Sequence, residues 1–295
     1  MRPRTDVPGC REVPGRSTAA DDFWRWNEHC ARVALRASRD QSARTVGVVI
    51  PSDDSTGARP LRVLALLDLF CPPGVVVRAV VPTGSAALTA SIERWHAGAR
   101  GGVVSVDVKH DPAPFGFARR INMGASLLLD ARADVDAILL ANDDTAPTPA
   151  ACARLATWPT HNALVGAVSN AGGGGLQTVD APSGVPSAGG LIDCPHRLGG
   201  FFLYVTRDVW TTLDGFDEDY AGYGCDDTAF SLDAHALGAR ILIDPFAFVW
   251  HEGSATFGPS AIPDLHPKAL AIFHRKHPHI ARYTRPLRLP PSLTS

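Results

Sequence analysis

Lysine is almost missing from this chain: of 28 basic residues, Lys109, Lys268 and Lys276 are the only lysines, and arginine supplies the rest. An excess of either charge is missing too. Lys plus Arg at 28 against Asp plus Glu at 30 leaves a formal charge of −2, which excludes a protein that coats nucleic acid or an anionic membrane by bulk electrostatics. Any anionic partner must be met locally, and arginine is the residue suited to bidentate pairing with phosphate. The six cysteines, at 10, 30, 71, 152, 194 and 225, form no C-x-x-C pairs, so neither a zinc framework nor a disulfide scaffold is expected. The N-terminus carries no apolar leader core, and the expected location is a reducing cytoplasm. Apolar runs are short, the stretch 135–141 being broken by Asp136, far below the roughly 20 residues of a membrane span. What remains is a globular composition, 45% hydrophobic and 20% charged over 295 residues, enough to bury a sizeable core.

Core periodicity begins at 45–51, T-V-G-V-V-I-P, a β-branched run closed by proline, as a buried parallel strand should be. Before it, residues 1–42 read as an N-terminal extension with a helix over 22–38. After it, the pattern predicts a helix at 59–70, a strand at 75–81, a helix at 86–97, a strand at 103–108, a helix at 117–131 and a strand at 137–141. This alternation predicts a parallel α/β sheet whose ligands bind beyond the carboxyl ends of the strands, after Ile50, Val81, Val108 and Leu140. Beyond, a small-residue stretch at 170–190 reads as a loop over the site. It is followed by a strand at 201–205, helices at 208–213 and 228–237, and strands at 240–243 and 246–251. A tail from 259 to 295 holds one amphipathic helix at 267–276. One domain, 43–258, is expected between the two extensions.

Three clusters carry chemistry. Asn142-Asp143-Asp144-Thr145 lies just past a buried strand, where adjacent carboxylates repel unless a cation neutralises them, and hard divalent ions favour such oxygens. The plainer reading is a cap for the helix after Pro147. Asp226 and Asp227 precede a helix whose N-terminus favours a carboxylate and keeps it ionised, as a general base must be, and one of them alone would serve as an ordinary N-cap. His251 ends the last apolar strand. Alone it reads as a structural histidine; beside carboxylate and phosphate oxygens it is an acceptable ligand for a Mn²⁺-type ion.

The order of motifs resembles the family-2 inverting glycosyltransferases of the GT-A fold, particularly the rhamnosyltransferase-like branch, over roughly Val46 to Phe257. The pieces are V-V-I-P at 48–51, F-G-F-A-R-R-I-N-M-G at 115–124, L-A-N-D-D-T at 140–145, G-G-F-F-L-Y-V-T-R at 199–207, G-F-D-E-D-Y at 215–220, C-D-D-T-A-F-S-L at 225–232, A-L-G-A-R-I at 236–241 and W-H-E-G at 250–253. The resemblance implies a single Rossmann-like domain with a mixed, mostly parallel sheet flanked by helices. It implies Mn²⁺ or Mg²⁺ on Asp144 and His251, with the diphosphate of a nucleotide sugar. Asp227 takes the place of the catalytic base and Asp226 that of its acidic partner, one methylene shorter than the family's glutamate. Pro51, Asp53, Thr83, Arg119, Asn122, Asn142 and Asp143 fall where relatives meet the donor, and Gly200, Phe202 and Tyr223 where an acceptor sits.

One departure matters for the donor. Relatives carry Asp-Asp-Gly-Ser after the second strand, where this chain has Val81-Pro82-Thr83-Gly84-Ser85; Asp53 or Asp54 is the available substitute. That gap is also what a catalytically silent sugar-nucleotide or carbohydrate-binding module of the same fold would show. A pyrophosphorylase is disfavoured because the segment after the first strand lacks a G-x-G-T-R-like loop. The acceptor is a hydroxyl on a glycan, a lipid-linked sugar, a small molecule or nucleic acid. The His/Arg-rich tail would approach an anionic acceptor or a membrane surface, or else stay solvated.

Overall fold

The computed structural model describes residues 19–38, 42–98, 104–171, 177–179, 190–194, 197–220, 223–253 and 262–280. The small-residue segment 172–176, expected as part of a loop over the site, and the tail beyond 280 lie outside them. Strands β1 (Arg44–Val49), β2 (Val75–Thr83), β3 (Val104–His110) and β4 (Val135–Ala141) alternate with helices α2 (Ala58–Phe70), α3 (Ala86–Gly98) and α4 (Phe117–Ala131), preceded by α1 (Ala19–Ala37). Next come β5 (Thr145–Pro147), α5 (Pro149–Arg154), β6 (Ala163–Ser169), β7 (Ile192–Asp193), β8 (Phe202–Thr206), α6 (Arg207–Leu213), α7 (Asp226–Ala236), β9 (Arg240–His251) and α8 (Ile262–Lys276).

The strands make one sheet in the order β3-β2-β1-β4-β8-β6-β9-β5, with β7 also on β9. Pairing is parallel from β3 through β4, antiparallel at β8, and parallel again between β6 and β9. Six strands therefore run one way, while β8, β5 and β7 oppose them. This is the mixed, mostly parallel sheet expected, and its buried strands are continuous apolar runs because helices cover both faces. Apolar clusters lie on either side, one around Val46, Leu64, Val77 and Phe202, the other around Val49, Ile121, Leu140 and Trp210. The close seating of α4 depends on Gly124, where an added Cβ would come within 2.5 Å of Val49 Cγ1.

Three local outcomes differ from the sequence reading. Strand β6 was not foreseen. The two strands expected at 240–243 and 246–251 are one, because the register jumps from Ala167 opposite Asp244 to Val168 opposite Phe248. Pro245 sits in the resulting bulge, where its missing N–H costs no ladder bond. Finally, α1, expected in an N-terminal extension, packs on the domain: Asn27 is completely buried, its Nδ2 donating to Thr148 Oγ1 (2.8 Å) and its Oδ1 accepting from Ala150 N (3.1 Å).

Candidate active site

Register explains why Asp144 and His251 meet although 107 positions apart in the chain. Strands β5 and β9 pair with Thr145 opposite His251, so the residue before β5 lies beside the end of β9. His251 Nε2 is 3.2 Å from Asp144 Oδ1, and His251 Nδ1 is 2.9 Å from the carbonyl oxygen of Ala171. A carbonyl only accepts, so Nδ1 carries the proton, and in a neutral ring Nε2 turns a lone pair toward an anionic oxygen. Two acceptors facing each other call for a shared cation, either a second proton or a metal ion. Burial opposes charging of the ring, yet the Asp144 carboxylate outweighs it and raises the His251 pKa. Asn170 fixes the backbone of His251 from both sides, its Nδ2 donating to His251 O and its Oδ1 accepting from His251 N.

Asp143 faces a different cation. Ser52 Oγ donates to its Oδ2 at 2.6 Å and the Arg59 guanidinium lies 3.2 Å away; burial nevertheless pushes its carboxyl up to about 6. Asn142 anchors the turn through its backbone: its N donates to Phe201 O and its O accepts from Thr145 Oγ1. Its side-chain Oδ1 is buried with no hydrogen-bond partner among the described residues. Such an oxygen costs about 1–3 kcal/mol unless a ligand or water supplies a donor. Among the described residues, no three His, Cys, Asp or Glu side chains converge as a closed cage; Asp144 and His251 stand as a pair.

The second carboxylate centre stands at the start of α7. Gly224 and Cys225 both adopt positive φ, 89° and 71°, a conformation costly for a cysteine and typical of strained functional turns. The turn delivers Asp226 and Asp227 side by side. Asp227 Oδ2 accepts from Gly200 N (2.9 Å) and Oδ1 from Thr228 N (2.6 Å). Despite these bonds, burial raises the pKa of both carboxyls, and for Asp226 the Asp227 charge adds to it. The helix terminus favours the charged form of both carboxyls, but desolvation outweighs it and raises their pKa values.

The segment before β8 joins the two centres. Leu198 N donates to Ser231 Oγ, Gly199 N to Gln177 Oε1 and Gly200 N to Asp227, while the next residue, Phe201, stacks on the His251 ring with centroids 5.1 Å apart. Gln177, Ser231 and Asn170 are not marked out by the sequence, because a lone amide or hydroxyl carries no signal until its partner is known.

At the other end of the sheet, Asp53 and Asp54 divide roles. Asp54 turns inward to cap the approach to α2, accepting from Thr56 N and Arg59 N. Asp53 accepts from Gly84 N and from Arg120. Arg119 is spent on Asp111 Oδ1 (2.6 Å) and Pro114 O (2.6 Å). Asp111, buried at the end of β3, was not foreseen; the signal available was an aspartate leaving a strand, with two arginines eight and nine positions on. Four expected contacts are placed differently from the expectation. Thr83 and Pro51 are buried, Thr83 Oγ1 accepting from Ser85 N. Asn122 spends its amide on Phe216 N, Phe216 O and Glu218. Phe202 is completely buried opposite Ala141 in the sheet and offers no face to an acceptor, whereas Gly200 donates its N–H to Asp227 and half-buried Tyr223 lies in the turn just before α7.

No family model matches this chain, and no curated protein matches it. Solved structures do. The mannosyltransferase PcManGT of Pyrobaculum calidifontis, in complex with GDP-Man and Mn²⁺, superposes with a TM-score of 0.54 at 14% identity, over 92% of this chain and 76% of that one. GalNAc-T7 with UDP, GalNAc and Mn²⁺ gives 0.55 at 14% identity, over 86% of this chain and 54% of that one. TarS 1–349 of S. aureus gives 0.51 at 16% identity, over 81% and 73%. The fold is that of the GT-A glycosyltransferases.

Proposed function

We propose that the protein is a metal-dependent inverting glycosyltransferase that moves a sugar from a nucleotide-diphosphate donor to an acceptor hydroxyl. The observation that carries this reading is the junction at Gly200-Phe201: Gly200 N donates to the Asp227 carboxylate and the next residue, Phe201, stacks on the His251 ring beside Asp144. Solved neighbours of the same fold hold GDP-Man or UDP with Mn²⁺, which is the donor and cofactor class assigned here. Asp144 and His251 fit a divalent ion, Mn²⁺ or Mg²⁺, on the chemistry of their facing acceptors. Bound there, the ion would offset negative charge on the departing diphosphate, a contribution of several kcal/mol in typical metal catalysis.

The chain's own groups do the rest. Asp227, its orientation fixed by Gly200 N and Thr228 N, removes the proton of the acceptor hydroxyl. The acceptor oxygen bonds to the anomeric carbon as the bond to the diphosphate breaks, and the electron pair leaves with the diphosphate. One displacement inverts the configuration. Asp226 stands beside Asp227, and desolvation together with the Asp227 charge pushes the Asp226 carboxyl up to about 7, so the two titrate as a pair. Arg59 with Asp143 braces the loop that carries Asp144, and Asp53 and Arg119 lie toward the nucleoside. Gly200 and Tyr223 border the acceptor, whose class stays open among glycans, lipid-linked sugars, small molecules and nucleic acid. No helix among the described residues is long and apolar enough to cross a membrane; the proposed setting is the cytoplasm. The helix of the expected tail, α8, packs on the domain through Ala269 and Phe273 and pairs Lys276 with Asp217 and Asp219. The one-domain division at 43–258 belongs to the same reading.

The second reading, a silent sugar-nucleotide-binding module, draws on the buried Thr83 where relatives carry a carboxylate. Thermal unfolding against a panel of nucleotide sugars with and without Mn²⁺ tests donor binding, since a bound donor stabilises the fold by mass action. A shift that needs both donor and Mn²⁺ supports the site. Donor turnover by the same protein then separates the enzyme from the module.

A further inference from the structure

Arg120 is more deeply buried than the other buried arginine among the described residues, Arg44, at 1% against 7% exposed, and nothing in the proposed reaction uses it. Its guanidinium is fully engaged by the sheet's carboxyl end. Nε donates to Asp111 Oδ2 at 3.1 Å, and Nη1 donates to Ser52 O at 3.1 Å and to Asp53 Oδ1 at 2.5 Å. One face lies over the Phe115 ring, 4.7 Å from its centroid. Asp111 in turn is gripped by Arg119, so two arginines and two aspartates make a neutral cluster spanning the ends of β1 and β3. A buried arginine is tolerated only when paired in this way, and removing one partner strands the other.

The cluster reaches the surface at Arg119 and Asp53. The Asp111 side chain is 3% exposed and that of Arg119 29%, while Asp53, the cluster's one carboxylate open to the exterior, is 39% exposed. The two donors held by the protein, Gly84 N and Arg120 Nη1, both land on Asp53 Oδ1, leaving the Oδ2 edge to the exterior. Gly84 permits this arrangement: a Cβ there would stand 3.1 Å from Asp111 O and 3.4 Å from Arg120 Nη2, so a side chain would press on the cluster. The loop after β2 thus supplies a backbone N–H and no carboxylate, and the acidic group at this end comes from the loop after β1.

We infer that Arg120 and Asp111 are positioning residues that hold Asp53 rigid, so that its outer carboxylate edge accepts hydrogen bonds from the nucleoside of the donor. This rests on the donor reading above and deepens it. The guanidinium fork fixes one oxygen, and the other is thereby aimed; an unbraced aspartate on an exposed loop would lose rotamer freedom on each binding event.

Calorimetric titration with the tightest-binding of UDP, GDP, CDP, ADP and dTDP, in MnCl₂, tests it through double-mutant cycles of Asp53→Ala with Arg120→Lys and with Asp111→Asn. Asp53→Ala is expected to weaken binding about tenfold. Arg120→Lys and Asp111→Asn are expected to weaken it by a comparable factor in the parent and by less than about twofold once Asp53 is alanine, because each acts only through Asp53. Equal losses in both backgrounds, or no loss from Asp53→Ala, overturn the inference while leaving the donor reading intact. Should Arg120→Lys not fold, the Asp111→Asn cycle alone decides. A parent protein that binds none of the five diphosphates overturns the donor reading itself, and the inference with it.

Discussion

The ring of Phe201 lies stacked on the imidazole of His251, with centroids 5.1 Å apart and planes 18° from parallel. Its chain neighbour Gly200 donates its N–H to Asp227. Two successive residues therefore set the ring of one centre and the carboxylate of the other.

Replacing Phe201 by leucine keeps an apolar side chain but removes the flat surface that orients the imidazole. Outer-shell partners of metal-binding histidines are typically worth 10–100-fold in metal affinity. Phe201→Leu is expected to raise the Mn²⁺ concentration needed for half-maximal donor binding about tenfold, read by titrating Mn²⁺ at fixed nucleotide. An unchanged Mn²⁺ requirement would show that the stack does not orient the ligand.

The pH dependence of transfer follows from the raised carboxyls at the start of α7. Burial lifts Asp226 and Asp227 above the usual carboxylate range. The base must be unprotonated, so activity is present above the raised pKa and lost as pH falls through it. The acid limb of kcat/KM is expected above the ordinary value of about 4. Asp226→Asn removes the second carboxyl of the pair; a limb that stays raised in this variant is set by Asp227, and a limb that falls back to about 4 would mean that Asp226 sets it.

Asn27 ties α1 to α5 through both ends of its amide, completely buried. Asn27→Ala leaves Thr148 and the Ala150 N–H to find new partners, at a cost of about 2 kcal/mol. Urea unfolding should show a lower midpoint with an unchanged slope. An unchanged midpoint would mean that α1 contributes little to the domain.

Much of the fold was legible because the first four strands are β-branched runs spaced by amphipathic helices, a period that burial on both faces enforces. Strand β6 escaped because A-L-V-G-A-V-S is built of small residues with Gly166 at its centre, where an added Cβ would approach Gln177 Nε2 to 2.4 Å; its identity as a strand depends on neighbours distant in sequence. The break expected at Pro245 is a bulge because Asp244, completely buried, satisfies the loosened backbone by accepting from Phe246 N while binding Arg154 and Trp158. Aspartates 144 and 227 stood out at strand and helix ends. Asp111 and Arg120 did not, since a buried ion pair can be seen only when the loops after β1 and β3 are brought together. Phe202 misled for the converse reason: in G-G-F-F the two rings alternate across the sheet, and the sequence does not say which one is enclosed.

Asp227→Asn tests the proposed base most directly. The asparagine keeps shape and one acceptor oxygen but cannot take a proton. Nucleoside diphosphate binding in Mn²⁺ is expected to stay within about twofold of the parent, while turnover of the donor sugar falls by at least roughly 100-fold. Parent-like turnover in this variant would contradict the central claim that Asp227 is the base of a glycosyl transfer.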